Sequence, residues 1–465
     1  MQLKKGQIIE LEIYTIAFGG AGLGKFEGLS VFVAGTMPGD KVKAALTKIK
    51  SNFAEAQLVE VVEPAKDRLK PVCKHFGVCG GCQFQFMPYE QQLAFKKQHV
   101  IDSFERIGKI YNPPVEEIIG CEDSYFYRNK MEFSFGHDAN MQQTLGLHMP
   151  ERRYDIMDVE ECFLESRFSV LILNKVREFV LEHGWKPFRV TTLEGFLRSL
   201  YIREGKRTGE MMINLVTNNH VPEDFKVVLK VLVEELLKIE DPDGEKKITS
   251  FYWSQQISKR GSPNRIVETL MHGKKTLTEK MILANGDELV FEILPQAFFQ
   301  VNTKQAEILY SQVVEFGLAK QHKLALDLFC GTGTIGLFLA KHVERVMGIE
   351  LNPEAIKAAE ENARANKIFN TDFYCGDVGK VLNTLKEFPS LIVVDPPRAG
   401  LTEGMIAKMN EFGAEQIIYV SCNPATLARD CAWLGEFGYK LKRIKAVDMF
   451  PQTYHIECVC LLERG

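Results

Sequence analysis

The sequence predicts an α/β protein in three parts. These are a small β-barrel over residues 1–65, a central α+β region over 66–290, and a nucleotide-binding α/β domain over 291–465. Three observations predict this. The N-terminal segment is a series of short alternating strands divided by turn signals. A chain of 465 residues has room for about three domains. Gly331-Thr332-Gly333-Thr334-Ile335-Gly336 stands between an apolar strand and a helical run, and an acid closes the next strand, as in nucleotide-binding βαβ units.

Composition excludes several classes. The apolar fraction is 45% and the charged fraction 25%, ordinary values for a globular protein. No apolar run approaches ~18 residues, so no membrane helix is expected. The first residues lack the apolar core of a secretory signal, so a cytoplasmic protein is expected. Eleven cysteines without such a signal read as reduced thiols with metal or catalytic roles. A net charge of −4 excludes a chain coated in basic residues, so any nucleic-acid binding must use a local face.

In the N-terminal segment, strands are expected at Gln7–Ile16, Leu29–Val33, Lys41–Leu46 and Ala56–Val62. No helix start follows the glycines between Phe18 and Gly24, so they read as a hairpin and not a phosphate cradle. Lys41, Lys43, Lys48 and Lys50 are either a solvated face or phosphate contacts. The glycine-rich turn and the Pro38-Gly39-Asp40 turn resemble the TRAM domain, an OB-like RNA-binding barrel of RNA-modifying enzymes.

Cys73, Cys79 and Cys82 are spaced Cys-x5-Cys-x2-Cys, and Cys162 is the best-placed fourth ligand, with Cys121 as runner-up. Thiolate-only ligation suits zinc or an iron–sulfur cluster, and one short pair with a distant single cysteine favours a 4Fe–4S cluster. Tyr89–Ile107 has helical periodicity and carries Lys96, Lys97 and Arg106. This helix is a candidate to pack on the C-terminal domain. Tyr125 to Phe135 mixes aromatic with basic residues, which suits single-stranded RNA but also an amphipathic strand. Further on, strands are expected at Thr191–Ile202 and Glu210–Val216, and helices at Val170–Leu181 and Phe225–Leu237.

In the C-terminal domain a strand over 323–329 leads into the glycine motif, with a helix expected to about His342. Arg345–Glu350 is the second strand, and its acid stands 19 residues after Gly331. That geometry fits NAD or S-adenosylmethionine. Asp327-Leu328-Phe329-Cys330-Gly331 resembles the first motif of Rossmann-like methyltransferases. Phe373–Asp377 resembles their later acidic position. Leu391–Val394 is a buried strand ending in Asp395-Pro396-Pro397-Arg398, and Arg398 departs from the pattern of amino-group methyltransferases. Ile417–Val420 is another buried strand, ending in Ser421-Cys422-Asn423-Pro424. Taken alone, Cys422 reads as a small buried hydrophobe. At the carboxyl end of a strand in such a domain it also stands where ligands bind.

The full set resembles the RNA 5-methyluridine methyltransferases, on Gln296–Asn302, Asp327–Gly331, Asp395–Arg398, Ser421–Pro424 and His455-Ile456-Glu457. The resemblance implies a methyltransferase using S-adenosyl-L-methionine. Gln300, Phe329, Thr334, Glu350, Asp377 and Asp395 would line the donor site, with Thr334 standing where the family often has asparagine. Cys422 would be the nucleophile and Glu457 the base. Cys73, Cys79, Cys82 and Cys162 would hold a 4Fe–4S cluster. The barrel implies the type that acts on 23S ribosomal RNA, with a monomer expected. A transfer-RNA target, a non-catalytic RNA-binding assembly factor and an NAD-dependent enzyme are the alternatives. Phe298 or Phe299 would stack on a flipped base. His455 reads as structural, and Cys330, Cys375, Cys431, Cys458 and Cys460 as buried small residues.

Overall fold

Alternation of apolar residues closes the N-terminal strands into a barrel. The computed structural model describes residues 3–150, 152–257 and 265–465. Strands β1 (Ile8–Ile16), β2 (Gly22–Phe26), β3 (Leu29–Val33), β4 (Lys41–Ile49) and β5 (Phe53–Glu63) form a closed barrel in the order β1-β2-β3-β5-β4. Ile9, Leu11, Ile13, Val31, Val42 and Leu46 fill it. The expected glycine hairpin is the β1–β2 connection, and β2 itself was hidden by its glycines. Lys41, Lys43 and Lys48 meet Glu63, Glu60 and Glu55 across the β4–β5 pair at 2.8, 3.2 and 2.6 Å. The solvated-face reading therefore holds for these three lysines, which are partly neutralised.

Helix α1 (Tyr89–Arg106) begins after Pro88 and packs on the last helix of the chain through Val100 and Phe104, both fully buried. Its lysines do not make a basic face. Lys96 is completely buried, and Lys97 and Arg106 pair with Glu117 and Asp102. The central sheet comprises β6 (Lys130–His137), β7 (Gln143–Met149), β8 (Arg152–Asp158), β9 (Leu197–Glu204), β10 (Glu210–Asn218), β11 (Lys247–Ile257) and β12 (Arg265–Gly273). Their spatial order is β12-β11-β10-β9-β6-β7-β8. Helices α2 (Arg167–Glu182) and α3 (Phe225–Leu236) complete its core. Strand β9 starts later than expected because the chain before it turns. Leu193 and Gly195 take φ of 59° and 74°, and a side chain at Gly195 would strike the Pro187 carbonyl. Phe133 and Phe135 lie inside this core, which leaves only the start of the aromatic–basic stretch near a surface.

The hairpin β13 (Leu277–Ile282) and β14 (Glu288–Ile293) packs with the C-terminal layers through Leu277, Met281 and Phe291. Then come α4 (Thr303–Gly317), β15 (Leu324–Leu328), α5 (Thr334–Leu339), β16 (Arg345–Glu350), α6 (Pro353–Ala365), β17 (Thr371–Cys375), α7 (Val378–Leu382), β18 (Leu391–Val394), α8 (Glu403–Phe412), β19 (Gln416–Ser421), α9 (Pro424–Glu436), β20 (Tyr439–Val447) and β21 (Glu457–Arg464). The sheet order is β17-β16-β15-β18-β19-β21-β20, parallel through β19, with β21 inserted antiparallel between β19 and β20. The order reverses at β15, so the crevice beyond its carboxyl end is the expected ligand position. Helix α5 is shorter than expected: it ends at Leu339, and the chain turns through Ala340.

The segment 448–456, which delivers the chain to β21, is braced by residues from distant parts of the sequence. Lys96 Nζ donates to Asp448 Oδ1 at 2.6 Å and to the Phe450 carbonyl at 3.1 Å, and Tyr89 donates to Asp448 Oδ2 at 2.8 Å. Gln92 and Gln452 bond to each other, and Tyr127 donates to the Pro451 carbonyl at 3.0 Å. Burial pushes the Lys96 ammonium pKa down, and Asp448 opposes that. Lys96→Met leaves a buried carboxylate without its cation, and is expected to cost about 3–5 kcal/mol. Urea unfolding checks this: the midpoint should fall, and adding Asp448→Asn should recover part of the loss.

Candidate active site

The donor side is built on the loop after β15. Phe329, Gly331 and Gly333 all have positive φ, at 63°, 54° and 80°. Gly333 also lies close to its neighbours, since a Cβ there would sit 3.0 Å from Ala359 and 3.1 Å from the Phe373 ring. Buried Asp327 accepts from the Gly336 amide at 2.9 Å, fixing the start of α5. Its other oxygen is buried with no hydrogen-bond partner, and burial lifts its pKa to about 8. Glu350 accepts from the Gly331 amide at 3.2 Å and the Asn352 amide at 2.9 Å. Asp377 caps α7 by accepting from the Lys380 amide at 3.0 Å.

The reactive side is where β18, β19 and β21 meet. Asp395 follows β18 directly, and Cys422 follows β19. The β19–β21 register pairs Val420 with Val459 and Ser421 with Cys458. The ladder ends there, with Cys422 just beyond β19 and Glu457 at the start of β21, so both come to the same end of the sheet. The two loops are tied together: Asn423 Nδ2 and Thr426 Oγ1 donate to the Arg398 carbonyl at 3.0 and 3.3 Å. Asn423 also caps α9.

These parts share one cleft of about 1030 Å³. Gln300, Phe329, Glu350, Asp377, Asp395, Cys422 and Glu457 all line it, as do Arg128, Phe298, Arg398 and His455. Thr334 does not. It is buried at the first turn of α5, its hydroxyl 3.4 Å from that of Thr332, which does reach the cleft. The charge balance is acidic. Burial lifts Asp395 to about 7, and burial followed by Asp395 pushes Glu457 well above the carboxylate range. Burial raises the Cys422 thiol, Glu457 and Asp395 add to this, and Arg398 opposes. Such a site holds protons when empty and favours a cationic ligand.

Cys73, Cys79, Cys82 and Cys162 converge on a second, much smaller cavity of about 30 Å³. The Gly81 amide points at Cys79 Sγ at 3.3 Å and the Leu164 amide at Cys162 Sγ at 3.5 Å. Burial raises all four thiols, Cys82 and Cys162 to about 12. Among the described residues, no group of three or more His, Cys, Asp or Glu forms a site for a metal ion. The four thiols thus line one cavity, and the expected metal centre is not shown among the described residues. Cys121, the runner-up, lies elsewhere, against Asp123 and Asn302.

Other expectations need correction. Phe299 is buried in the core against Phe291 and cannot stack on a ligand, whereas Phe298 is 69% exposed. Cys375 is exposed at the end of β17, while Cys330, Cys431, Cys458 and Cys460 are buried as expected. His455 lines the cleft, and burial with Arg398, Lys96 and Arg128 lowers its pKa to about 4, so it is neutral. Sequence reading placed Arg128 only within a basic stretch. Nothing local marks it as a cleft residue.

Comparison with known proteins agrees with this architecture. Residues 256–465 match the family described as tRNA (Uracil-5-)-methyltransferase, and residues 2–59 match the TRAM domain. A Clostridium acetobutylicum protein described as an uncharacterized RNA methyltransferase is 37% identical over 99% of both chains. One of the same description from Chlorobaculum tepidum is 36% identical over 100% of this chain and 98% of its own. The crystal structure of Pyrococcus abyssi tRNA (uracil-54, C5)-methyltransferase with S-adenosyl-L-homocysteine is similar at a TM-score of 0.74 and 27% identity. That match covers 98% of this chain and 100% of that one. Because it includes the barrel region, the barrel does not separate ribosomal-RNA from transfer-RNA enzymes. From its identity to such relatives over its whole length, the chain belongs to the RNA (uracil-5-)-methyltransferase family and carries an N-terminal TRAM domain.

Proposed function

We propose that this protein methylates carbon 5 of a uracil in RNA, with S-adenosyl-L-methionine as donor and Cys422 as covalent nucleophile. The observation that carries the reading is that Cys422, Glu457 and Asp395, from the ends of three neighbouring strands, line the one cleft that the glycine loop enters. Carbon 5 of uracil is too weak a nucleophile alone. The Cys422 thiolate adds to carbon 6, and the ring becomes an enolate with carbanion character at carbon 5. Carbon 5 takes the methyl group, Glu457 removes the carbon-5 proton, and the sulfur–carbon bond breaks to release Cys422. Glu350 suits the ribose hydroxyls of the donor, and Asp377 its adenine edge. Phe298, exposed in the cleft, would stack on a flipped base.

Ribosomal RNA is the first proposed substrate, on the family resemblance of the barrel, which by itself does not separate the two targets. The Pyrococcus abyssi match favours a second reading, transfer RNA. Incubation with labelled donor and unmodified 23S ribosomal RNA or transfer RNA decides between them. Label in 5-methyluridine of ribosomal RNA alone supports the first reading, and label in transfer RNA alone overturns it.

Electrostatics give a second test. A sulfonium is cationic, so it binds best when Asp395 is ionised. With Asp395 at about 7 in the empty site, donor affinity should rise with pH through about 7 and level off above. Below that point it should fall by about tenfold per unit, because binding must expel a proton. Calorimetry between acid and neutral pH checks this. The neutral product S-adenosylhomocysteine, or Asp395→Asn, should show a flat profile.

Cys73, Cys79, Cys82 and Cys162 are proposed to hold a 4Fe–4S cluster. Their all-sulfur character and the two amides aimed at sulfur suit one. Its role would be structural, joining the 73–82 loop to the segment after β8. Iron and acid-labile sulfide in equal amounts in protein purified without air are the expected result. Stoichiometric zinc without sulfide would contradict it.

A further inference from the structure

We infer that Phe18, Tyr454 and His455 form a stacking track that holds RNA nucleotides next to the target uridine. The inference rests on the RNA-methylating role proposed above. Phe18 stands at the β1–β2 turn, where Gly19 and Gly20 take φ of 96° and 87°. It is 58% exposed, although it sits at the seam between the barrel and the rest of the molecule. The turn is held firmly. His99 Nε2 donates to the Ile16 carbonyl at 3.0 Å, and Gly20 lies so close to Tyr454 that a Cβ there would be 3.2 Å from its ring. Ile16, Met37, Phe84, Phe86 and Met87 form a separate small core beneath it, with Tyr454 packed against them.

The three rings form a series. Phe18 meets Tyr454 edge-on at 6.3 Å, and Tyr454 meets His455 at 4.2 Å with a 38° tilt. Phe18 also meets His99 edge-on, at 6.4 Å. The exposure of Phe18 leaves much of its ring open to solvent, and bases stack on aromatic rings whatever their sequence. The inner end of the series is in the catalytic cleft, which His455 lines beside Arg128 and Arg398. Their two positive charges suit the phosphates of a strand entering there. The track also starts two residues before Glu457, so a strand lying on it delivers its neighbouring base to the reactive end of the cleft. A packing role alone accounts for Tyr454, which is half-buried, but not for the exposed ring of Phe18.

The test compares Phe18→Leu with Phe18→Trp. The probe is a fluorescein-labelled, single-stranded ribosomal RNA fragment containing 5-fluorouridine. Losing one stacked base is expected to raise the RNA Kd by roughly 5- to 100-fold in Phe18→Leu. Phe18→Trp should stay within about twofold of the wild type, because it keeps a π face. Melting temperature and donor affinity should not move in either variant. RNA Kd values within about twofold for both variants would overturn the track. So would a parallel loss of melting temperature and RNA affinity in Phe18→Leu that Phe18→Trp shares, since that marks packing. Equilibrium binding does not require catalysis. Failure of the wild type to form a covalent adduct with the same fragment therefore counts against the catalytic reading, and unchanged Kd values count against the track alone.

Discussion

Cys422→Ala is expected to lower methyl transfer by on the order of 10⁴-fold or more, because it removes the covalent step and not a share of it. The reason lies in the substrate. Without addition at carbon 6, carbon 5 gains no carbanion character, and the rest of the cleft can only hold donor and base near each other. Cys422 sits beyond the last residue of β19, half-buried, so its removal opens little space in the core. Donor affinity should stay within about threefold, and stability within about 0.5 kcal/mol, as for substitutions away from packed interiors. Single-turnover kinetics with saturating donor separates the chemical loss from any loss of binding. Retention of more than a few per cent of the rate would mean that another group activates the ring.

Glu457→Gln is expected to slow turnover by about 10²- to 10⁴-fold, the usual contribution of a positioned general base. Its signature differs from that of Cys422→Ala. Addition and methyl transfer precede proton removal, so the variant should accumulate a methylated RNA–protein adduct on ordinary uridine. The fold should tolerate the change. Burial and Asp395 already hold Glu457 protonated in the empty protein, and an amide is close to that state in shape and charge. The same comparison tests the pKa argument. Because the folded protein raises this carboxyl above its unfolded value, the wild type carries a stability term that is present at acid pH and lost as pH rises toward the folded value. Glu457→Gln should remove that term, so its stability should depend less on pH. Normal turnover in this variant would assign the proton to another group.

How much of this site can be read from the sequence depends on how local the signal is. The glycine loop, Glu350 and the strand ends at Asp395 and Cys422 follow from short-range patterns: an apolar run, a turn, an acid at a fixed distance. The proximity of Glu457 to Cys422 does not. It requires β21, the last strand, to insert between β19 and β20, and no local periodicity encodes that. The Lys96–Asp448 pair spans 352 positions, so Lys96 reads as part of a basic helix face until its partner is seen. In the barrel, the lysines of β4 could be assigned only once β5 brought glutamates across from them. Phe298 and Phe299 look equivalent in sequence, and the turn after β14 sends one into the core and one to the cleft. Cys73, Cys79 and Cys82 are near one another in sequence, and the glycines around Cys79 let that loop turn tightly onto one cavity. The convergence of Cys162 on them depends on the central sheet.

The central claim is that Cys422 becomes covalently attached to carbon 6 of a uracil during methyl transfer. The most direct test uses RNA in which uridine is replaced by 5-fluorouridine. Fluorine cannot leave as a cation, so the reaction should stop at the methylated adduct. The wild-type protein with donor and this RNA should give a denaturation-resistant complex. Peptide mass spectrometry should place one methylated 5-fluorouridine on the peptide containing Cys422, and Cys422→Ala should give no complex. Absence of an adduct with the wild type, an adduct on a different cysteine, or an unchanged adduct in Cys422→Ala would contradict the mechanism.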